Sequence, residues 1–180
     1  MIGTDLGLVF KPFASLRLSL TGGYTLSSSH QQWVSNIADP AVPLGYHFIF
    51  SSIDQKTVDT TLRLDWGITP VLSVQFYMQP YFGVGHYRGF KELAEARTNN
   101  FTPYDFTDFD PDFNYKSYRA NFVFRWEYLP GSLLYLVWTH DRANYADPGQ
   151  MNLRRDFTSL FREAPRNIFF VKFSYMISII

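Results

Sequence analysis

From Val58 to Ile68 the residue type changes at every step. Val58, Thr60, Leu62, Leu64, Trp66 and Ile68 alternate with Asp59, Thr61, Arg63, Asp65 and Gly67. Successive side chains of a β-strand point to opposite faces, so a period of two specifies an extended strand with one apolar and one polar face. The same alternation recurs along the chain. It predicts about seven strands: 4–10, 16 to about 37, about 46–68, 71–85, about 115–128, 132–140 and 167–179. Gly22-Gly23 is expected to bend or bulge its strand. Pro80 lacks an amide donor and is expected to make the pairing irregular.

The connections alternate in length. They are short at 11–15, 69–71 and 129–132, and long at 38–45, 88–113 and 141–166. In the second long connection KELAEAR has the composition of one or two helical turns. In the third, Leu153, Phe157, Leu160 and Phe161 follow an i, i+4, i+7, i+8 stripe and predict a short amphipathic helix.

Composition excludes several classes. Aromatic residues make up 19% of the chain, yet mean hydropathy is only −0.14, because apolar residues are interleaved with polar ones. No stretch approaches the roughly 18 consecutive apolar residues of a membrane helix. The net charge is zero and no basic run marks a nucleic-acid partner. The chain has no cysteine, which removes disulfides and thiolate metal sites. MIGTDLGLVF lacks the basic and apolar regions of a signal peptide, so if the protein is exported, its exporting segment is missing from this chain.

Two architectures obey period two. A soluble lipocalin-like barrel or sandwich buries its apolar face, whereas a membrane barrel turns that face to lipid and its polar face to the lumen. Three features favour the membrane barrel. Its short periplasmic turns and long extracellular loops alternate in the same way. Trp66, Trp126 and Tyr128 lie near short turns on the apolar parity, with Tyr175 near the C-terminus, as in an interfacial aromatic girdle. Several strands reach the roughly 9–11 residues that cross a membrane. With short turns periplasmic, the last strand ends in the periplasm and the first of seven begins outside. Single-chain bacterial barrels have even strand numbers. At least one upstream strand is therefore expected, which makes residues 1–180 one domain, the C-terminal fragment of a larger barrel.

FKPFASLRLSL, IDQKTVDTTLRLDWGITPVLSVQFYMQPY, GFKEL, DFNYKSYRANFVFRWEYLPGSLLYLVW and APRNIFFVKFSYMIS resemble, in that order, the C-terminal part of the domain-of-unknown-function 5916 family. The resemblance covers nearly the whole chain, and RWEYLPGS and FVKFSY are specific in combination with IDQKT. It implies an outer-membrane barrel. Family members carry an N-terminal module similar to the family-nine carbohydrate-binding modules. No residue here corresponds to that module.

On the inward parity the barrel reading places Arg17, Arg63, Asp65, Arg119, Arg125, Glu127 and Lys172. They either select a polar solute or pair to fill a narrow lumen. Asp105, Asp108, Asp110 and Asp112 form an acidic, aromatic-rich loop. It fails the calcium-loop pattern, because Phe113 and Arg119 stand where Gly and Glu are needed. His30, His47, His86 and His140 fall toward the outer strand ends. A hydrolytic pair of His140 with Asp141 is the catalytic candidate. Parity opposes convergence of the histidines, since His47 points inward and His86 and His140 outward. No cofactor motif is present, and neither a metal centre nor catalysis is expected.

The fold expected is therefore all-β: an antiparallel up-and-down meander of about 7–8 strands within a transmembrane barrel, with one short helix in a loop. The expected location is a bacterial outer membrane. The expected partners are the lipid bilayer, a polar or carbohydrate solute and, during insertion, the barrel-assembly machinery. The rival readings are a soluble ligand-binding barrel and an outer-membrane hydrolase with its site at the extracellular rim.

Overall fold

A computed structural model describes residues 1–145 and 149–177. Seven long strands form the meander: β1 (Ile2–Phe13), β2 (Leu16–Ala38), β3 (Tyr46–Thr69), β4 (Leu72–Leu93), β6 (Phe113–Leu129), β7 (Ser132–Tyr145) and β8 (Arg166–Ser174). A three-residue strand, β5 (Phe101–Pro103), pairs with the end of β4. All lie antiparallel in one sheet of order β1-β2-β3-β4-β6-β7-β8, and β1 does not pair with β8. The sheet is open. One of the expected alternatives, a sandwich, is excluded for the described residues because every strand belongs to the same sheet.

The registers carry the sequence alternation across the sheet. Leu18 faces Leu64, Leu64 faces Phe76, Phe76 faces Phe122, Phe122 faces Trp138 and Trp138 faces Phe169. One face is thus a continuous apolar band. Side chains of the opposite parity on each strand, from Arg17 opposite Asp65 to Tyr135 opposite Lys172, make the other face polar. The short turns are Ala14-Ser15, Pro70-Val71 and Pro130-Gly131. Gly131 takes φ 77°, a left-handed conformation that a side chain would strain.

The accessible surface is 12254 Å², against roughly 9000 Å² for a compact monomer of this mass. The excess follows from a single layer. The buried apolar residues Ile49, Ile53, Phe82, Val84, Phe106 and Leu160 gather toward the end of the sheet that carries the long connections. The band below them has no protein cover: Leu20, Trp66, Trp126 and Leu136 are each about 40% exposed.

Several local expectations are corrected. Gly22-Gly23 is not bulged, since both residues keep register with β1 and β3. Gly23 instead makes room: a Cβ there would lie 2.7 Å from both the Asp5 and Asp59 carboxylates. Pro80 pairs with Tyr118 in unshifted register. Its missing donor shows only toward β3, where the ladder skips Thr60 and Thr61 but keeps register. The irregularities sit toward the two ends of the sheet instead, at Ser29/Gln32, Trp33/Ser35 and Phe50/Ser52 above and at Phe10/Phe13, Gly67/Thr69 and Glu127/Leu129 beside the short turns.

KELAEAR is not helical. Lys91–Leu93 continue β4 and bond β5, and the Lys91 ammonium lies 4.5 Å from the Phe101 ring. β7 continues past His140 to Tyr145, pairing Asp141–Tyr145 with Tyr115–Arg119. β8 stops at Ser174, opposite Leu133, because β7 begins at Ser132 and offers no further partner. Of the expected strand end, Ser178 and Ile179 lie outside the described residues.

The expected helix is α1 (Leu153–Arg162), N-capped by Asn152, whose side chain accepts from the Arg155 amide. Its docking face is displaced from the expected stripe. Asp156 and Leu160 are fully buried, while Leu153, Phe157 and Phe161 are 50%, 48% and 39% exposed. The reason is polar. The Asp156 carboxylate accepts from Asn114 Nδ2 at 3.1 Å and lies 4.0 Å from Lys116 Nζ, both on β6.

Candidate binding face and loop clasp

The seven residues assigned to one parity do share one face, and three of them, Arg63, Arg119 and Arg125, meet side chains on a neighbouring strand. The Arg63 guanidinium lies 5.1 Å from the Tyr77 ring, and the Tyr77 hydroxyl donates to Gln79 at 2.8 Å. Arg125 Nε donates to the Tyr135 hydroxyl and its guanidinium lies 3.6 Å from Glu127. Glu127 in turn accepts from the Gly131 amide, closing the short turn. Arg119 lies 3.8 Å from Asp141, which also holds Arg166 at 2.9 Å. Arg63, Asp65, Gln75, Tyr77, Asn121 and Val123 line a depression of about 200 Å³. Such a surface offers cationic, anionic and amide hydrogen-bonding groups to a polar solute.

Sequence reasoning passed over Asp5 and Asp59, whose carboxylates converge over Gly23. The signal was present in the parity of both, but only the three-strand register brings them together. The girdle residues lie on the apolar face beside the short turns. Tyr128 stacks on Phe173 at 5.2 Å and donates to the Ser174 carbonyl, and Trp126 meets Tyr128 edge-on at 6.1 Å. Trp66 faces Leu16 and Val74, and Tyr175 is 60% exposed just beyond β8.

His140 and Asp141 do not form a dyad. They point to opposite faces. His140 Nδ1 donates to Asn167 Oδ1 at 2.8 Å and Nε2 accepts from Arg142 Nε at 3.0 Å, so its basic nitrogen is occupied. His86 Nδ1 meets Asp112 at 2.6 Å, and Asp112 also accepts from the Tyr87 amide, which pins the acidic segment to β4. Asp110 accepts from the Asp112 amide. Asp105 and Asp108 lie in the same connection, and His30 lies within the first register shift of β2, between Ser29 and Gln32.

The fourth histidine organises the far end of the polar face. His47 begins β3 between two carboxylates: Nδ1 meets Glu92 at 2.5 Å and Nε2 meets Asp39 at 3.1 Å. The Tyr104 ring lies 5.3 Å from the imidazole. A cavity of about 320 Å³ opens beside them, lined by Val42–Leu44, Tyr46 and Leu93–Ala96. Among the described residues, no group of three His, Cys, Asp or Glu side chains is placed to hold a metal ion. At His47 the reason is plain, because both ring nitrogens are already engaged.

Hydrogen bonds to Glu92, then to Asp39, raise the His47 pKa above its ordinary value. The Ala41 amide, then His47, lowers that of Asp39. The His47 contribution is therefore complete below its ordinary value of 6.5 and is lost as pH rises through the raised value. That of Asp39 is present above 3.8 and is lost as pH falls through the lowered value. The 39–45 loop is clasped between these limits. We expect its cleavage by a broad-specificity protease to accelerate as pH rises through the raised His47 value in the native chain. His47→Gln is expected to be cut at the alkaline rate at every pH; a native pH response in that variant would rule the clasp out.

Comparison with known proteins gives one match. The model of a family described as a domain of unknown function (DUF5916) matches residues 3–179. No curated protein and no solved structure matches.

Proposed function

We propose that this chain, which belongs to the DUF5916 family, is a segment of a transmembrane β-barrel in a bacterial outer membrane. It binds or passes a polar, carbohydrate-related solute by non-covalent contacts and performs no catalysis of its own.

The carrying observation is the slope of the apolar band. Its upper limit is marked by the first strongly polar residue on each strand. These are Asn167 and His140, then Lys116, then His86, Lys56 and Ser28. Measured through the registers, this limit is level from β8 to β7, rises by four residues to β6 and four more to β4, dips by two at Lys56 and regains them at Ser28, a net eight residues, roughly 26 Å, over five inter-strand spacings, roughly 24 Å. The slope is roughly 45°. Strands in membrane barrels tilt by about 35–45°, so a level membrane cuts them on such a diagonal. At that tilt, Tyr118 to Tyr128 on β6 spans roughly 23 Å along the barrel axis, close to the roughly 25 Å apolar belt of outer-membrane barrels. A soluble barrel tilts its strands by a similar angle, and what favours lipid over a core is that the same sloping band carries no protein cover, with Leu20, Trp66, Trp126 and Leu136 all exposed.

In hydrocarbon an unpaired strand edge is costly, so β1 and β8 would pair with further strands of the barrel. The polar face then lines the lumen, with Arg63, Arg125 and Asn121 as hydrogen-bonding groups for a solute. At the outer rim, the exposed Phe109 and the Tyr104 ring beside His47 provide aromatic faces of the kind that stack on sugars. Fractionation of the full-length protein tests the reading. It is expected in the outer-membrane fraction, extractable only by detergent and with heat-modifiable gel mobility. Full solubility without detergent would refute it.

A further inference from the structure

Helix α1 rests on the apolar-parity face of the sheet, just above the band. In a barrel that face is the outer wall. Phe157 packs on Phe82, at 6.5 Å between ring centres, and Phe161 on Tyr118 at 5.3 Å. Arg142 of β7 places its guanidinium 4.9 Å from the Phe161 ring and donates to the Phe161 and Glu163 carbonyls. The helix is therefore fixed to the wall.

Its remaining surface is divided. With 100° per residue, Leu153, Phe157 and Phe161 form a flank beside the buried Asp156-Leu160 stripe. That flank stays about half exposed although it adjoins the band. Arg154, Arg162 and Arg155 follow on the outward side. The helix and its seat carry five cations, Lys116, Arg142, Arg154, Arg155 and Arg162, against Asp156 and Glu163, a net charge of +3 in a chain whose total is zero. Both acids are already engaged, Asp156 under the helix and Glu163 by Asn144. A half-exposed apolar flank beside an arginine surface is the signature of a helix lying in a membrane interface.

We infer that α1 is an interfacial helix whose arginines bind the phosphates of anionic lipid headgroups in the outer leaflet. The apolar flank enters the acyl boundary beside Tyr118 and Phe82, while Arg154 and Arg162 project to headgroup level. This rests on the membrane-barrel reading.

The test uses the full-length protein inserted in phosphatidylcholine vesicles with and without diphosphorylated lipid A. Lipid A retained after mild detergent extraction is counted by native mass spectrometry. The native protein is expected to retain it. Arg154→Glu with Arg162→Glu is expected to weaken retention roughly thirtyfold. Lys11→Glu, at the opposite end of the sheet, is expected to leave it unchanged. Retention should survive excess inorganic phosphate, because the apolar flank contributes. Heat-modifiable mobility is read on the same samples. Inserted protein whose retention is the same in the double variant overturns the inference alone, as does equal loss in Lys11→Glu or displacement by phosphate. Failure of the native protein to insert overturns the membrane reading together with the inference.

Discussion

Asp156→Ala is expected to release helix α1 from the sheet and to cost about 3–5 kcal/mol, the usual penalty for breaking a buried ion pair. The Asp156 carboxylate is fully buried and accepts from Asn114 Nδ2, Arg155 Nε and the Asn152 amide. Its loss leaves Lys116, only 1% exposed, with Asn144 as its remaining hydrogen-bond acceptor. It also weakens Asn114, whose Oδ1 already lacks a partner. A buried ammonium in that state favours opening to water. The double variant Lys116→Met, Asp156→Leu removes both charges and is expected to recover most of the loss. Urea unfolding gives the energy, and trypsin cleavage at Arg154 and Arg155 reports helix release. Native-like protection in Asp156→Ala would show that the apolar contacts alone seat the helix.

The lower half of the sheet was legible because one rule governs it. From Leu16 to Leu26, Val58 to Ile68 and Phe122 to Tyr128 each face has one character, so parity alone orders the side chains. The strands outrun that signal where both faces turn polar. Asp141, Arg142 and Asn144 of β7 show no apolar stripe, and their strand character comes from pairing with β6. Lys91–Leu93 have helical composition, but hairpin closure with Phe101–Pro103 and packing of Phe50 on Phe101 override it. At Gly22-Gly23 and Pro80 the residue type suggested a defect. The actual role of Gly23 is to admit two carboxylates, and the effect of Pro80 is confined to the ladder with β3.

The candidate site divides in the same way. The seven charged residues of the polar face followed from parity, since a strand fixes which side each takes. The His47 clasp did not. Asp39, His47 and Glu92 are scattered through the sequence, and the pairing of Ile49 with Glu92 brings two of them together while a loop supplies the third. The polar anchor of α1 was equally hidden. A stripe of Leu153, Phe157, Leu160 and Phe161 looks like a docking face, but a lysine on the apolar-parity face of β6 moves the contact to Asp156.

The central claim is that the apolar face meets lipid and the polar face meets water. Phe122 and Asn121 are neighbours on β6 with opposite aspects: Phe122 pairs with Phe76 and Trp138, and Asn121 with Tyr77 and Thr139. Residues 1–180 hold no cysteine, so with any cysteine elsewhere in the full-length protein replaced by serine, Phe122→Cys and Asn121→Cys each create a single labelling site. With a fluorophore at each site in vesicle-inserted full-length protein, a quencher on the lipid acyl chain should extinguish the label at position 122, and aqueous iodide should not. At position 121 iodide should quench and the lipid quencher should not. Iodide reaching position 122 as readily as 121, or lipid quenching at 121, would contradict the account.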